Sequence, residues 1–146
     1  MPVMQVPSTP DKVVIVGEFP HCPPHILFDY WTMPRLITLW WSKEAEIDAR
    51  LDGTYHLSWP KRKWHLRGRY TTFDPGKELA FTWKWDHLPS TTQVNVTFEP
   101  LPDNDNGTKL TVTQSPYSDS TIGQVFRQSH LEGWLYFIGR LQNIEP

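Results

Sequence analysis

In this 146-residue chain the side chains whose types could do chemistry lie among large apolar residues. His130 comes four positions after Phe126 and four before Trp134, so a titratable ring falls within an apolar stripe of helical period. An imidazole there can act as a general acid or base, anchor a ligand by a hydrogen bond, or serve as a hydrogen-bonded core residue. Gln114 stands at the end of a β-branched run, and Tyr55 and Tyr70 stand in alternating stretches. Each of these either reaches a ligand or is satisfied locally at a strand end or surface.

Other combinations fall short of a reactive centre. Cys22 lies between His21 and Pro23, with His25 nearby. The prolines around it suggest a surface loop rather than a thiol–histidine couple, and three such residues do not make the four-ligand set of a structural zinc. There is no nucleophile elbow, no phosphate-cradling glycine loop and no metalloprotease spacing of histidine and carboxylate. No metal and no cofactor is therefore expected, and ligand binding is expected ahead of turnover. Arg67 and Arg69 share a strand face opposite in parity to Leu66 and Tyr70, which suggests a charged outer surface. Asp48 and Arg50 read as an exposed cross-strand environment, and Lys61, Arg62 and Lys63 as a solvated hairpin tip.

His130 must be positioned by the segment from Ser118 to Leu141. Ile122, Phe126, Trp134, Phe137, Ile138 and Leu141 recur there with helical spacing, which predicts one buried face. Ser118 or Ser120 can cap the N-terminus, and Arg140 suits the last turn. Gly123, Gly133 and Gly139 each cost about 1 kcal/mol against Ala within a helix, so this helix needs tertiary support. Gly133 would also let a backbone or a large ring approach the helix axis.

That support comes from upstream. Residues 1–11 form a proline-rich, flexible lead-in, and the β-branched run Lys12 to Glu18 is a first strand. His25 to Thr32 and Pro34 to Trp41 are two short aromatic-rich helices broken at Pro34. From Ser42 onward the period changes to two. Strands are expected near Ala45 to Arg50, Thr54 to Trp59, Trp64 to Phe73, Glu78 to Trp85, Gln93 to Glu99 and Thr108 to Gln114. Leu79, Phe81, Trp83 and Trp85 point one way, with Val94, Val96 and Phe98, and Leu110 and Val112, doing the same in later strands. Only the C-terminal helix is long and apolar enough to cover them.

The expected architecture is a single α+β domain over residues 12–146, a curved six- or seven-stranded antiparallel sheet around a long C-terminal helix. A sheet that does not close on its helix leaves an aromatic-lined cavity for a small apolar or aromatic molecule. The residues assigned to it are His130, Trp134, Gln114, Tyr55, Tyr70, Phe81, Trp83, Trp40 and Phe126. Phe28, Trp31, Trp40 and Trp41 are expected to pack the short helices over the open end.

Eight Trp, seven Phe and five Tyr supply ample core for one domain of this length. A net charge of −2 offers no general attraction to nucleic acid or to an anionic membrane. The first residues lack the basic start and apolar core of an export signal, and no segment reaches 18 uninterrupted apolar residues. With a single cysteine, a reducing, cytoplasmic setting is expected. Unpaired sheet edges are compatible with a monomer or a homodimer.

The element order resembles that of the helix-grip, START-like superfamily. LITLWWSK at Leu36 to Lys43, DGTYHL at Asp52 to Leu57, and GRYTTFDPGKELAFTWKW at Gly68 to Trp85 resemble markers of one branch. GTKLTVTQS at Gly107 to Ser115 and HLEGWLYFIGRL at His130 to Leu141 do so too. That branch is related to the C-terminal domain of the activator of heat-shock protein 90 ATPase. Family members commonly carry two glycines where this chain has Asp52 and Gly53, and a histidine where it has Gln114. The resemblance implies an enclosed ligand pocket. By analogy it also implies a cyclase- or lyase-like enzyme using that pocket, or a chaperone-interacting stress-response module, as alternatives to ligand binding.

Overall fold

The computed structural model describes residues 2–144; Met1 and residues 145–146, the ends of the expected lead-in and domain, lie outside the described residues. The elements in order are β1 (Met4–Val6), β2 (Val13–Phe19), α1 (Pro24–Thr32), α2 (Pro34–Ile37), β3 (Glu44–Ile47) and β4 (Thr54–Trp59). A 3-10 turn (Pro60–Arg62) follows, then β5 (Trp64–Asp74), β6 (Glu78–Trp85), β7 (Thr92–Leu101), β8 (Asn104–Ser115) and α3 (Thr121–Ile144).

All neighbours pair antiparallel in one eight-stranded sheet of order β1-β2-β8-β7-β6-β5-β4-β3. The expected count of six or seven strands is therefore low by at least one. The extra strand is β1, which lies within the segment read as a flexible lead-in and pairs Gln5 with Ile15. All three of its residues are exposed, so it carries no alternation of apolar and polar residues to betray it.

The two short helices follow their prolines. Pro24 occupies the first turn of α1, where its missing N–H costs no helical bond, and Met33, held extended by Pro34, ends that helix. The second helix stops at Ile37 instead of running to Trp41. Residues 38–41 continue as turns in which the Trp41 N–H still reaches the Ile37 carbonyl at 2.9 Å.

Curvature arises in the long strands. The register of β5 against β6 slips between Tyr70 and Thr72, and a bulge of this kind bends and twists its strand. Between β3 and β4 the chain turns through Asp52, whose φ of 64° is left-handed. Aspartate tolerates that conformation better than most residues, and a glycine would adopt it freely. At Gly53 a Cβ would lie 2.0 Å from the Asp48 carbonyl oxygen, so a side chain is excluded there.

Helix α3 is capped by Ser120, whose Oγ accepts the Gly123 N–H at 3.0 Å. Leu131, Trp134, Ile138 and Leu141 form its buried stripe. Ile122, expected on that stripe, is instead 67% exposed. The buried residue of the first turn is Gly123, packed against Ser118. The far end of α3 is tied to the sheet edge by Gln142, which accepts from the Val3 N–H at 3.2 Å and donates to the Glu18 carbonyl at 3.1 Å.

Candidate functional site

The middle of α3, from Phe126 to Phe137, does not close against the ends of β4, β5 and β6. A cavity of about 430 Å³ remains between them. Three local regularities build its wall. In β6, residues two apart share a face, so Trp83 and Trp85 both line it. At the β4–β5 turn, Trp59 and Trp64 are paired in register and reach it together. On α3, Phe126, His130, Trp134 and Phe137 follow one another at helical spacing.

The rings support one another. Trp41 stacks on Trp83 with centroids 5.7 Å apart, and Trp134 sits 5.1 Å from Trp41 and 5.6 Å from Trp83. Trp85 meets Trp59 at 5.5 Å and Trp64 at 6.0 Å. Gly133 lies on the helix side, where an added Cβ would meet nothing within 4 Å. The expected close approach of another group at this glycine is therefore absent; it leaves room in the cavity.

His130 combines the cavity wall with a part-buried polar contact. Its Nδ1 is 2.7 Å from the Tyr117 hydroxyl, and its ring stands edge-on to Trp83 at 5.2 Å. Burial pushes its pKa down to about 4, so the imidazole is neutral at pH 7. Burial also raises the Tyr117 phenol above its ordinary value. The indole N–H of Trp83 is buried and has no hydrogen-bond partner among the described residues. Exposed residues Arg62, Trp64 and His87 form the rim, with the Arg62 guanidinium 5.1 Å from the centre of the Trp64 ring.

Of the nine assigned residues, His130, Trp134, Trp83 and Phe126 line this cavity. The other five do not. Gln114 is fully buried behind Trp134, donating to Thr92 Oγ1 and accepting from the Trp134 indole, both at 2.8 Å. Tyr55, Tyr70 and Phe81 border a separate interior void of about 10 Å³, no more than a water molecule could use. The Tyr55 hydroxyl donates to the Thr82 carbonyl at 2.6 Å, and burial lifts both tyrosine pKa values. Trp40 is fully buried, stacked on Trp41 at 5.4 Å with its N–H on the Tyr30 carbonyl.

Of the aromatic group expected over the open end, Trp41 lines the cavity, and Phe28, Trp31 and Trp40 pack in the core beside it. Cys22 is buried rather than in a surface loop, and burial pushes its thiol up to about 11. Such a thiol is almost wholly protonated at neutral pH and is a poor nucleophile.

The lining groups that sequence reasoning missed include Trp59, Trp64, Trp85, Arg62, His87 and Phe137. A detectable signal existed in Trp59 and Trp64, which flank a short basic turn at positions that an antiparallel hairpin sets side by side. Among the described residues no group of three or more His, Cys, Asp or Glu side chains is placed to hold a metal ion, and no helix is long and apolar enough to cross a membrane.

Comparison with solved structures reproduces the architecture. The protein MLL2253 from Mesorhizobium loti matches at 23% identity and a TM-score of 0.75, over 90% of this chain and 95% of the other. PFC0360w, an HSP90 activator from Plasmodium falciparum, matches at 23% identity and a TM-score of 0.72, over 92% and 95%. The Aha1 dimer from Colwellia psychrerythraea matches at 15% identity and a TM-score of 0.76, over 90% and 93%. Identities this low carry the fold alone. No curated protein matches the sequence. The family model described as activator of Hsp90 ATPase homolog 1-like protein matches residues 21–144, which span both short helices, the sheet from β3 to β8 and all of α3. The chain belongs to the activator of Hsp90 ATPase homolog 1-like family.

Proposed function

We propose that the protein binds a small apolar or aromatic molecule in the cavity between α3 and the ends of β4, β5 and β6. The observation that carries this reading is that the cavity stays open in so aromatic a chain. Its volume, about 430 Å³, falls in the range of small-molecule sites, and its wall is predominantly indole and phenyl surface. His130 is a polar group of the wall set deeper than the rim residues Arg62 and His87. Neutral at pH 7 and held by Tyr117, it offers one ring nitrogen for a hydrogen bond to the ligand and keeps acid–base work open as a secondary use.

A thermal-shift screen against hydrophobic and aromatic metabolites tests the reading, repeated with Gly133→Leu, which places a side chain in the open space on the helix side. A ligand at 100 times its dissociation constant adds roughly 2.7 kcal/mol of stability. The expected result is a hit whose shift is lost in Gly133→Leu while that variant remains folded. A flat screen overturns the reading. The family's description would then direct attention to chaperone contact, tested by binding of purified Hsp90.

A further inference from the structure

We infer that the ligand is an aromatic anion, its ring system held between the indoles of the cavity and its carboxylate, or an equivalent acidic group, set against the Arg62 guanidinium at the mouth. This inference rests on the ligand-binding reading above and specifies the chemistry of the same site.

The first observation is the sign of the charge on the wall. Among the described residues that line the cavity, none is aspartate or glutamate, and the one permanently charged side chain is Arg62. An aromatic box can hold a cation, but sites that do so gain from a carboxylate nearby, and here the only fixed charge would repel one. Lys61 and Lys63 flank Arg62 on the same turn and strengthen the positive field at the rim.

The second observation is that Arg62 is available. Its guanidinium lies over the Trp64 ring, and among the described residues it forms no ion pair with a carboxylate. Arg67, on the adjoining strand, is engaged with Asp86 at 3.0 Å and does not line the cavity. A guanidinium resting on an indole keeps its in-plane N–H groups free, and that fork matches a carboxylate.

The third observation separates mouth from interior. His130 and the unpartnered Trp83 N–H are the polar groups deeper in the wall, and both are neutral at pH 7. They suit an uncharged acceptor or donor on the ring system. A full negative charge is favoured only at the rim, where Arg62 and water share it.

Three naphthalene probes of matched shape test the inference by calorimetric titration at low salt: 2-naphthoate, 2-naphthalenemethanol and 2-naphthylmethylammonium. The expected order is naphthoate tightest, by about tenfold over the alcohol, with the ammonium weakest. Arg62→Gln is expected to erase the advantage of naphthoate over the alcohol. Equal affinities, a preference for the ammonium, or an advantage that survives Arg62→Gln overturns the inference and leaves the ligand-binding reading standing. If none of the three binds, the inference also falls. The metabolite screen with Gly133→Leu then decides separately whether the cavity is a binding site at all.

Discussion

The indole N–H of Trp134 donates to the side-chain carbonyl of Gln114 at 2.8 Å, and the amide of Gln114 passes a second bond to Thr92 Oγ1 at 2.8 Å. Gln114 is fully buried, so this chain joins α3 to β8 and β7 where no water competes. Removing the amide strands two buried partners at once. Gln114→Leu is expected to lower stability by about 2–3 kcal/mol in urea denaturation. Gln114→His is expected to lose less, since an imidazole can still accept from the indole. In a double-mutant cycle with Trp134→Phe, coupling of about 1 kcal/mol is expected, and strict additivity would show that the two side chains do not share this bond.

Trp134 itself is the ring on which three others meet. It is 3% exposed and within 6 Å of the centroids of Trp31, Trp41 and Trp83. Trp134→Ala is expected to cost about 3–5 kcal/mol by equilibrium denaturation, the usual range for a large buried aromatic. A loss below about 1 kcal/mol would place the ring outside the cooperative core.

Two glycines of α3 are expected to respond with opposite signs. At Gly133 an added methyl meets open space, so Gly133→Ala gains helix propensity, up to about 1 kcal/mol. At Gly123 the same methyl would stand 2.4 Å from the Ser118 carbonyl oxygen. Gly123→Ala is therefore expected to destabilise by about 1–3 kcal/mol through overpacking. Melting temperatures of the two variants, taken side by side, check this; a shift of the same sign in both contradicts the packing around α3.

These residues also mark how far the sequence could be read. Alternation in β6 identifies Leu79, Phe81 and Trp83 as one face because a strand has only two faces and one is buried. The cover by a C-terminal helix follows because no other element has the length. Along that face, however, a period of two does not say which ring borders a void. Phe81 and Trp83 have the same parity, yet Phe81 packs under Tyr55 and Trp83 lines the cavity. Arg62 was hidden for a related reason, since a basic turn reads as solvated until the rings on either side of it are known to converge. Ile122 has helical spacing with Phe126 but lies in the exposed first turn of α3, where periodicity continues past the end of what the sheet covers.

His130 supplies a prediction in which the sign of a pH effect discriminates. Its pKa in the folded chain is about 4, against the ordinary imidazole value of 6.5, because burial opposes the charge. The unfolded chain therefore takes up the proton first as pH falls. The stability associated with the neutral ring is fully present above pH 6.5 and is lost as pH drops from there towards 4, by about 3 kcal/mol at the most. His56 contributes a slope of the same sign, its pKa being lowered first by desolvation and then by the Arg67 charge. Since His56 is kept in His130→Phe, the difference between the two stability profiles isolates His130. The variant is expected to be less stable near pH 7.5, because the Tyr117 hydroxyl loses its partner, but to decline less between pH 6.5 and 4.5. Urea denaturation of both proteins across that interval supplies the comparison. Parallel profiles would mean that the imidazole takes up its proton as readily in the folded chain as in the unfolded one, which is incompatible with a ring enclosed between Tyr117 and Trp83.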